Sequence, residues 1–331
     1  MKKSIVLAAA VASLMAGTVQ ADATIYGAAH ASIDSNDVGL GTANVKNFTV
    51  ANNTSKLGFK GSEDLGNGMK VVWQMEMAYD LTDGAGIGGA RNSYVGLAGD
   101  FGTVLIGRHD TPDKSAFYAA GNDHLGDTQI DLNRSMGFQE DRVNDAIAYI
   151  SPALGDLKIA VAIIPGEGPG TAGAAGDGLT DGTSVGVMYK AGPIKAGLGI
   201  GDKADVTATG KDSVMNLGFS YNMDALTVGF QYQTQEDAAT AAAATIDTTI
   251  FAVSAAYKMG MNTLIASFGN NEVSSGAAKA DSDVINLGVA RSLSKKTTAY
   301  VGYSSRDGGS ATKPGSLVDA TILTVGMNHK F

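Results

Sequence analysis

Four stretches of the chain alternate, residue by residue, between large apolar side chains and small or polar ones. Leu157, Ile159, Val161 and Ile163 interleave with Lys158, Ala160, Ala162 and Ile164. Met215, Leu217, Phe219 and Tyr221 interleave with Val214, Asn216, Gly218 and Ser220, and Leu226, Val228, Phe230 and Tyr232 with Thr227, Gly229, Gln231 and Gln233. From Thr321 to Phe331 the same rhythm returns. A period of two is the signature of β-strands with one apolar face. The opposite face decides the class. In a soluble sandwich it would carry Lys and Glu, whereas here it is rich in Gly, Ala, Ser, Thr, Gln and Asn, and charged residues are only 17% of the chain. Aromatic residues gather near strand ends, at Tyr149, Tyr189, Tyr221, Tyr257 and Phe331. An apolar outside, a polar inside and aromatic girdles predict an all-β fold, a transmembrane antiparallel β-barrel. A β-solenoid would need a fixed short repeat, and none is present.

The connections give the size of the barrel. Short turns are predicted at Asp64–Gly68, Ala98–Gly102, Pro152–Asp156, Ala191–Pro193, Asn222–Ala225, Lys258–Asn262 and Ser292–Lys296. Between them lie longer segments rich in Gly, Ala, Asp, Asn and Ser: 34–53, 80–90, 109–141, 165–181, 202–212, 236–247, 271–283 and 306–319. Seven short turns alternating with eight long loops predict 16 strands, with short turns on one rim and long loops on the other. A barrel of that size encloses an aqueous lumen, whereas eight strands would be filled by side chains.

Lys2 and Lys3 precede an apolar run from Ile5 to Gly17, followed by Val19-Gln20-Ala21. This reads as a signal peptide over residues 1–21, leaving one barrel domain at 22–331. The run is too short for a spanning helix, which needs about 20 apolar residues. The chain has no Cys, which removes disulfides, zinc–thiolate sites and Cys nucleophiles together. Its net charge of −9 offers no basic field for nucleic acid. There are only four His: His329 lies on the outward face of the last strand, His30 points to the lumen, and His124, in the third long loop with His109 at its start, has no recognisable nucleophile partner, so no enzyme is expected. No cofactor is expected and no metal, since no loop has the ordered ligand spacing of a cation site.

A set of motifs in fixed order then resembles a known family. They are Thr24-Ile25-Tyr26-Gly27, the run from Ser55 to Gly68, Arg91-Asn92-Ser93-Tyr94-Val95-Gly96-Leu97, Gly99-Asp100-Phe101-Gly102-Thr103, Gly107-Arg108, and Arg142 to Tyr149 leading into Ser151-Pro152, with Phe331 last. Together they resemble the trimeric general-diffusion porins of Gram-negative outer membranes, over essentially the whole chain after the signal peptide. The resemblance implies a homotrimer in the outer membrane, in contact with its lipid and lipopolysaccharide. It implies insertion by the outer-membrane barrel assembly machinery with Phe331 as the signal, and passive diffusion of small hydrophilic solutes and ions.

A wide pore needs a constriction to set its size limit and its ion preference. Segment 109–141 is the longest connection, too long for an ordinary surface loop. In the family the third long loop folds into the lumen, and 109–141 is the third here. Porins carry a basic cluster on the wall facing it, and alternation nominates the residues. If Leu57 and Phe59 face lipid, Lys56 and Lys60 face inward; if Tyr94, Ile147 and Tyr149 face outward, Arg91 and Arg142 face inward. The family's Pro-Glu-Phe-Gly-Gly motif is missing from the loop, and Asn122 to Asp127 stands in its place, nominating Asp123 and Asp127 as the acidic side. Asp145 shares parity with apolar Ile147 and Tyr149 and so is expected to face lipid or a neighbouring subunit.

The eight long segments hold 25 Asp+Glu against 8 Lys+Arg, a net of −17, while the chain without residues 1–21 totals −11. An acidic mouth enriches cations over a Debye length of about 8 Å, so mild cation selectivity is expected. A substrate-specific channel, guided by lumenal aromatics, is one alternative. A barrel serving mainly as a surface adhesion or receptor protein is another.

Overall fold

The computed structural model describes residues 22–40, 43–166, 178–204, 211–237, 245–308 and 317–331. The predicted signal peptide at 1–21 lies outside the described residues, as do parts of the predicted loops 34–53, 165–181, 202–212, 236–247 and 306–319. The strands run β1 Asp22–Leu40, β2 Ala43–Asn52, β3 Lys56–Gly66, β4 Met69–Asp80, β5 Gly86–Gly99 and β6 Gly102–Asp110. Two helices follow, α1 Pro112–Ala119 and α2 Leu132–Met136. Then come β7 Arg142–Ile150, β8 Leu157–Ile164, β9 Gly182–Ala191, β10 Ile194–Ala204, β11 Lys211–Met223 and β12 Leu226–Asp237. The sheet ends with β13 Ile246–Met259, β14 Asn262–Ser275, β15 Ala278–Ser292, β16 Thr297–Asp307 and β17 Ala320–Lys330.

All pairings are antiparallel, and β1 meets β17 from Ala28↔Lys330 to Val38↔Ala320, which closes the sheet on itself. β2 and β3 are two halves of one strand. β1 pairs with β3 from Asp22 to Ala28 and with β2 from Ala31 to Leu40. Asn53–Thr54–Ser55 interrupts that strand, with Thr54 at φ 58°. The barrel therefore has the predicted sixteen strands.

The seven short turns fall where the alternation stops. Two of the long segments do not form loops. Segment 34–53 is strand almost throughout, since β1 reaches Leu40 and β2 begins at Ala43; in 271–283, β14 and β15 meet at the two-residue turn Gly276–Ala277. Segment 80–90 is shortened too, because β5 starts at Gly86. Polar residues interrupt the outer faces of these hairpins, Asp37 and Lys46 in the first and Glu272 and Lys279 in the second. Alternation fades there while the backbone ladder continues.

Exposure is inverted relative to a water-soluble fold. Ile33 is 61%, Leu323 50% and Val325 54% exposed, whereas Asn216, Gln233 and Thr324 are fully buried. The apolar face belongs to lipid and the polar face to the interior. Two buried apolar clusters lie between segment 111–141 and the polar faces of the strands, and a third, of Leu105, Ala148 and Ala162, lies on the strands alone. Phe117, Leu132, Met136 and Phe138 meet Ile250, Ala252 and Val284; Leu125 and Ile130 meet Ala256, Ile265 and Tyr300.

Two bulges re-aim side chains. On β7, Asn144 and Asp145 together oppose Arg108, because Gly107 pairs with Ala146 but His109 with Val143. Asp145 is exposed at φ 55°, so its place on the apolar parity has a cause: it is the extra residue of a bulge near the strand end. On β5, Arg91 and Asn92 together oppose Glu76, between the pairs Met75↔Ser93 and Met77↔Ala90.

Candidate functional site

Segment 111–141 begins with α1, whose two sides differ sharply. Pro112, Asp113, Ala116, Phe117 and Ala120 are buried, while Lys114, Ser115, Tyr118 and Ala119 line a cavity. Pro112 suits the first helical turn, where its missing N–H costs nothing. The buried side lies on a track of glycines. A Cβ on Gly199 would stand 2.5 Å from Asp113 Cα, one on Gly197 2.5 Å from the Ala116 carbonyl carbon, and one on Gly218 2.9 Å from Phe117 O. Only glycine lets the helix backbone approach β10 and β11 this closely.

Wall side chains hold the rest of the segment. Asn122 Nδ2 donates to Phe219 O at 2.9 Å and Phe230 O at 3.0 Å, and Asn271 Nδ2 donates to Met136 O at 2.6 Å. Gln139 N–H donates to Gln233 Oε1 at 2.7 Å. Gln129 Nε2 donates to Asn53 Oδ1 at 3.1 Å, where the interrupted strand turns Asn53 toward the segment. α2 is capped by Asp131, which accepts the Arg134 N–H at 3.1 Å, and by Gly137 at φ 75°.

The segment and the facing wall enclose a cavity of about 700 Å³. Arg91, Arg142 and Lys114 line it, as do Asp110, Asp123, Asp127 and Glu140. The wall bases are paired. Arg91 Nε lies 2.6 Å from Glu76 Oε1, and Glu76 Oε2 accepts the Tyr26 hydroxyl at 2.9 Å. Arg142 donates through Nε to Asn92 Oδ1 at 2.7 Å, and through its terminal nitrogen to Asp110 Oδ1 at 2.9 Å, which also holds Lys114 Nζ at 3.0 Å. On the segment, Glu140 accepts from the Tyr118 hydroxyl and from Asn133 Nδ2. Burial, then Asp131, Glu140 and Asp127, push the Asp123 carboxyl well above the usual carboxylate range. Burial pushes Asp131 up to about 6, and Asp113 upward as well.

Of the residues nominated from sequence, Arg91, Arg142, Asp123 and Asp127 come together around this cavity. Lys56 lies in an adjoining cavity of about 340 Å³, with Asp123 and Asp127 again, and with His30, Tyr300 and Lys330. Lys60 stands apart, its Nζ 5.1 Å from the centre of the Tyr26 ring. The backbone of Phe331 exchanges hydrogen bonds with Gly27 at 3.1 and 3.2 Å, at the seam.

The placement of Tyr94 corrects the sequence reading. Val95 is 53% exposed, so Tyr94 turns to the polar face, where its hydroxyl donates to Gln74 Oε1 at 3.1 Å and its ring lies 5.3 Å from His109. Arg91 reaches Glu76 because of the bulge, and not by parity with an outward tyrosine. Sequence reasoning also missed Glu76, Lys114 and the glycine track. Glu76 had a signal, since a carboxylate inside the apolar stretch Val71–Met77 must point away from lipid.

Comparison with known proteins agrees with this architecture. A family model described as Gram-negative porin matches residues 7–310. The major outer membrane protein P.IB of Neisseria lactamica is 31% identical over 351 residues, covering all of both chains. Among solved structures, an anion-selective porin from Comamonas acidovorans superposes with a TM-score of 0.78 at 23% identity, over 94% of this chain and all of that one. OmpT of Vibrio cholerae, solved in a trimer form, gives 0.71 at 16% identity, over 94% of this chain and 99% of that one. A closed sixteen-stranded barrel, an inward polar face and a family match across most of its length place the chain in the outer membrane, as a member of the Gram-negative porin family.

Proposed function

We propose that the chain forms a water-filled channel for passive diffusion of small hydrophilic solutes and ions. Its narrowest passage runs between segment 111–141, folded into the lumen, and the wall carrying Arg91 and Arg142. The observation that carries this reading is the 700 Å³ cavity with bases and acids on its lining. Opposed charges across a narrow passage align dipolar solutes and water, while an apolar solute would lose hydration without compensation. Lys56 extends the basic wall into the adjoining cavity, Lys60 adds its charge from a distance, over the Tyr26 ring, and Asp123 and Asp127 are the acids of the segment.

The channel is mildly cation-selective in this reading. Glu76 and Asp110 offset the wall arginines, and the long segments carry the net −17 counted above. The functional unit is a homotrimer, exported through a signal peptide at 1–21, inserted by the barrel assembly machinery through a strand ending in Phe331, and surrounded by lipid and lipopolysaccharide. Recording from refolded protein in a planar bilayer under a KCl gradient tests it. Large steps closing in threes, with a cation-selective reversal potential, are expected. Anion preference at low salt would overturn the selectivity, and correctly inserted protein without conductance would overturn the channel.

Tyr26 and Tyr94, both on the polar face with tethered hydroxyls, favour a second reading, a channel with a preferred ring-shaped solute. Concentration-dependent blocking of single-channel current by oligosaccharides distinguishes it from general diffusion.

A further inference from the structure

We infer that Asp113 is the positioning residue that fixes α1 in the passage, and with it the place of Lys114 and Tyr118; the inference rests on the channel reading above. The Asp113 side chain is on the dry side of the helix, with the residue 1% exposed. It bridges β9 and β11 across β10. Ser184 Oγ, on β9, donates to Asp113 Oδ1 at 2.6 Å, and Asn216 Nδ2, on β11, donates to Oδ2 at 3.0 Å. Between them the carboxylate passes over Gly201 of β10, where an added Cβ would stand 3.0 Å from Oδ1. The Asp113 backbone N–H closes the set by donating to Ser184 Oγ at 2.9 Å.

Packing alone does not account for this choice of residue. The glycine track gives α1 backbone contact with β10 but no hydrogen bond to it; Phe117 in the apolar cluster and the Ser220 hydroxyl, donating to Ala120 O at 2.6 Å, hold the later part of the helix and not its first turn. A buried carboxylate facing two neutral donors contributes little net stability, since desolvation opposes the hydrogen bonds. What it adds is register: one position of the helix satisfies both donors at once. Asn216 carries the constraint further, since its Oδ1 accepts from Gln233, which in turn holds Gln139 at the far end of the segment. The two ends of the segment are thereby tied to one side-chain network.

The test compares Asp113→Ala and Asp113→Asn with the unmodified chain, all refolded as the full protein, with far-UV circular dichroism confirming the barrel. Open-channel noise and the spread of step sizes are recorded in a planar bilayer. Asp113→Ala should raise the noise by about twofold or more and broaden the steps, and Asp113→Asn should restore both, since an amide can still bridge the two strands. A second cycle uses Lys114→Gln. Its shift in reversal potential should fall by about half in the Asp113→Ala background, because a displaced helix no longer presents that charge to the passage. Noise and coupling unchanged in a folded, conducting Asp113→Ala channel would overturn the inference. Absence of conductance in the unmodified chain would instead overturn the channel reading.

Discussion

Removing Glu76 separates the charge on the wall from the shape of the wall. In the native chain Arg91 and Glu76 form an ion pair at 2.6 Å, with their side chains 19% and 7% exposed, so a passing ion meets a dipole and not a charge. Glu76→Gln keeps an acceptor for the Tyr26 hydroxyl and a nearly identical volume, and leaves the Arg91 guanidinium uncompensated. One unit charge acting on an ion about 7 Å away is worth about 0.6 kcal/mol in water, and roughly 0.25 kcal/mol after screening at physiological salt. The term attracts anions and repels cations, so the permeability ratio feels it twice. The cation-to-anion ratio should therefore fall by about 2-fold at 0.15 M KCl and by up to about 8-fold at low salt. Reversal potentials under KCl gradients at two ionic strengths measure both values. Arg91→Gln should move the ratio the other way, and the double variant should return it close to the starting point. A Glu76→Gln channel with unchanged selectivity at low salt would refute the reasoning, because it would put the Arg91–Glu76 pair off the ion path.

Gly197→Ala drives a Cβ into the Ala116 carbonyl, overlapping its oxygen and standing 2.5 Å from its carbon, where ordinary contact begins near 3.4 Å; α1 must retreat by more than about 1 Å, at a cost of about 3 kcal/mol or more. A changed single-channel conductance with an intact barrel is the expected outcome, and native conductance would contradict it. Acidification should weaken cation preference: burial raises Asp131 to about 6, so it takes up its proton as pH falls from 7 to 5. The stability term has the same direction. Ionising a buried acid whose folded value is raised costs attachment of the segment increasingly from about pH 4 to 6, so the segment is held more firmly in acid. Reversal potentials across that range follow the titration, and Asp131→Asn should flatten it. Phe331→Ala should lower the yield of inserted barrels while leaving the conductance of each assembled channel unchanged, as read from the ratio of folded to unfolded protein and from step size.

The strands and turns were legible because a lipid-facing barrel writes its inside and outside into alternate residues. Where that contrast fades, so does legibility: segments 34–53 and 271–283 mix Asp37, Lys46, Glu272 and Lys279 with small residues and read as loops. The bulge at Arg91–Asn92 was invisible for the same kind of reason, since one extra residue breaks the parity on which inward and outward are assigned. Arg91 lines the cavity through that bulge, and not through the outward Tyr94 from which it was nominated. Gly197, Gly199 and Gly201 were visible as a small-residue face; that a helix 80 residues away in the chain needs them bare is a long-range fact. Glu76 was legible too, as a lone carboxylate in the apolar stretch Val71–Met77.

The pairing of β1 with β17 has a consequence for the order of events in folding. Every intermediate that lacks Ala320–Lys330 has two open edges, each a row of unsatisfied N–H and C=O groups. In hydrocarbon those groups have no water to turn to. The last ladder to form thus removes both edges at once, between residues about 300 positions apart in the chain. Such a contact is entropically late and cooperative, so closure is the slow commitment step and its precursors must be shielded from one another until it occurs.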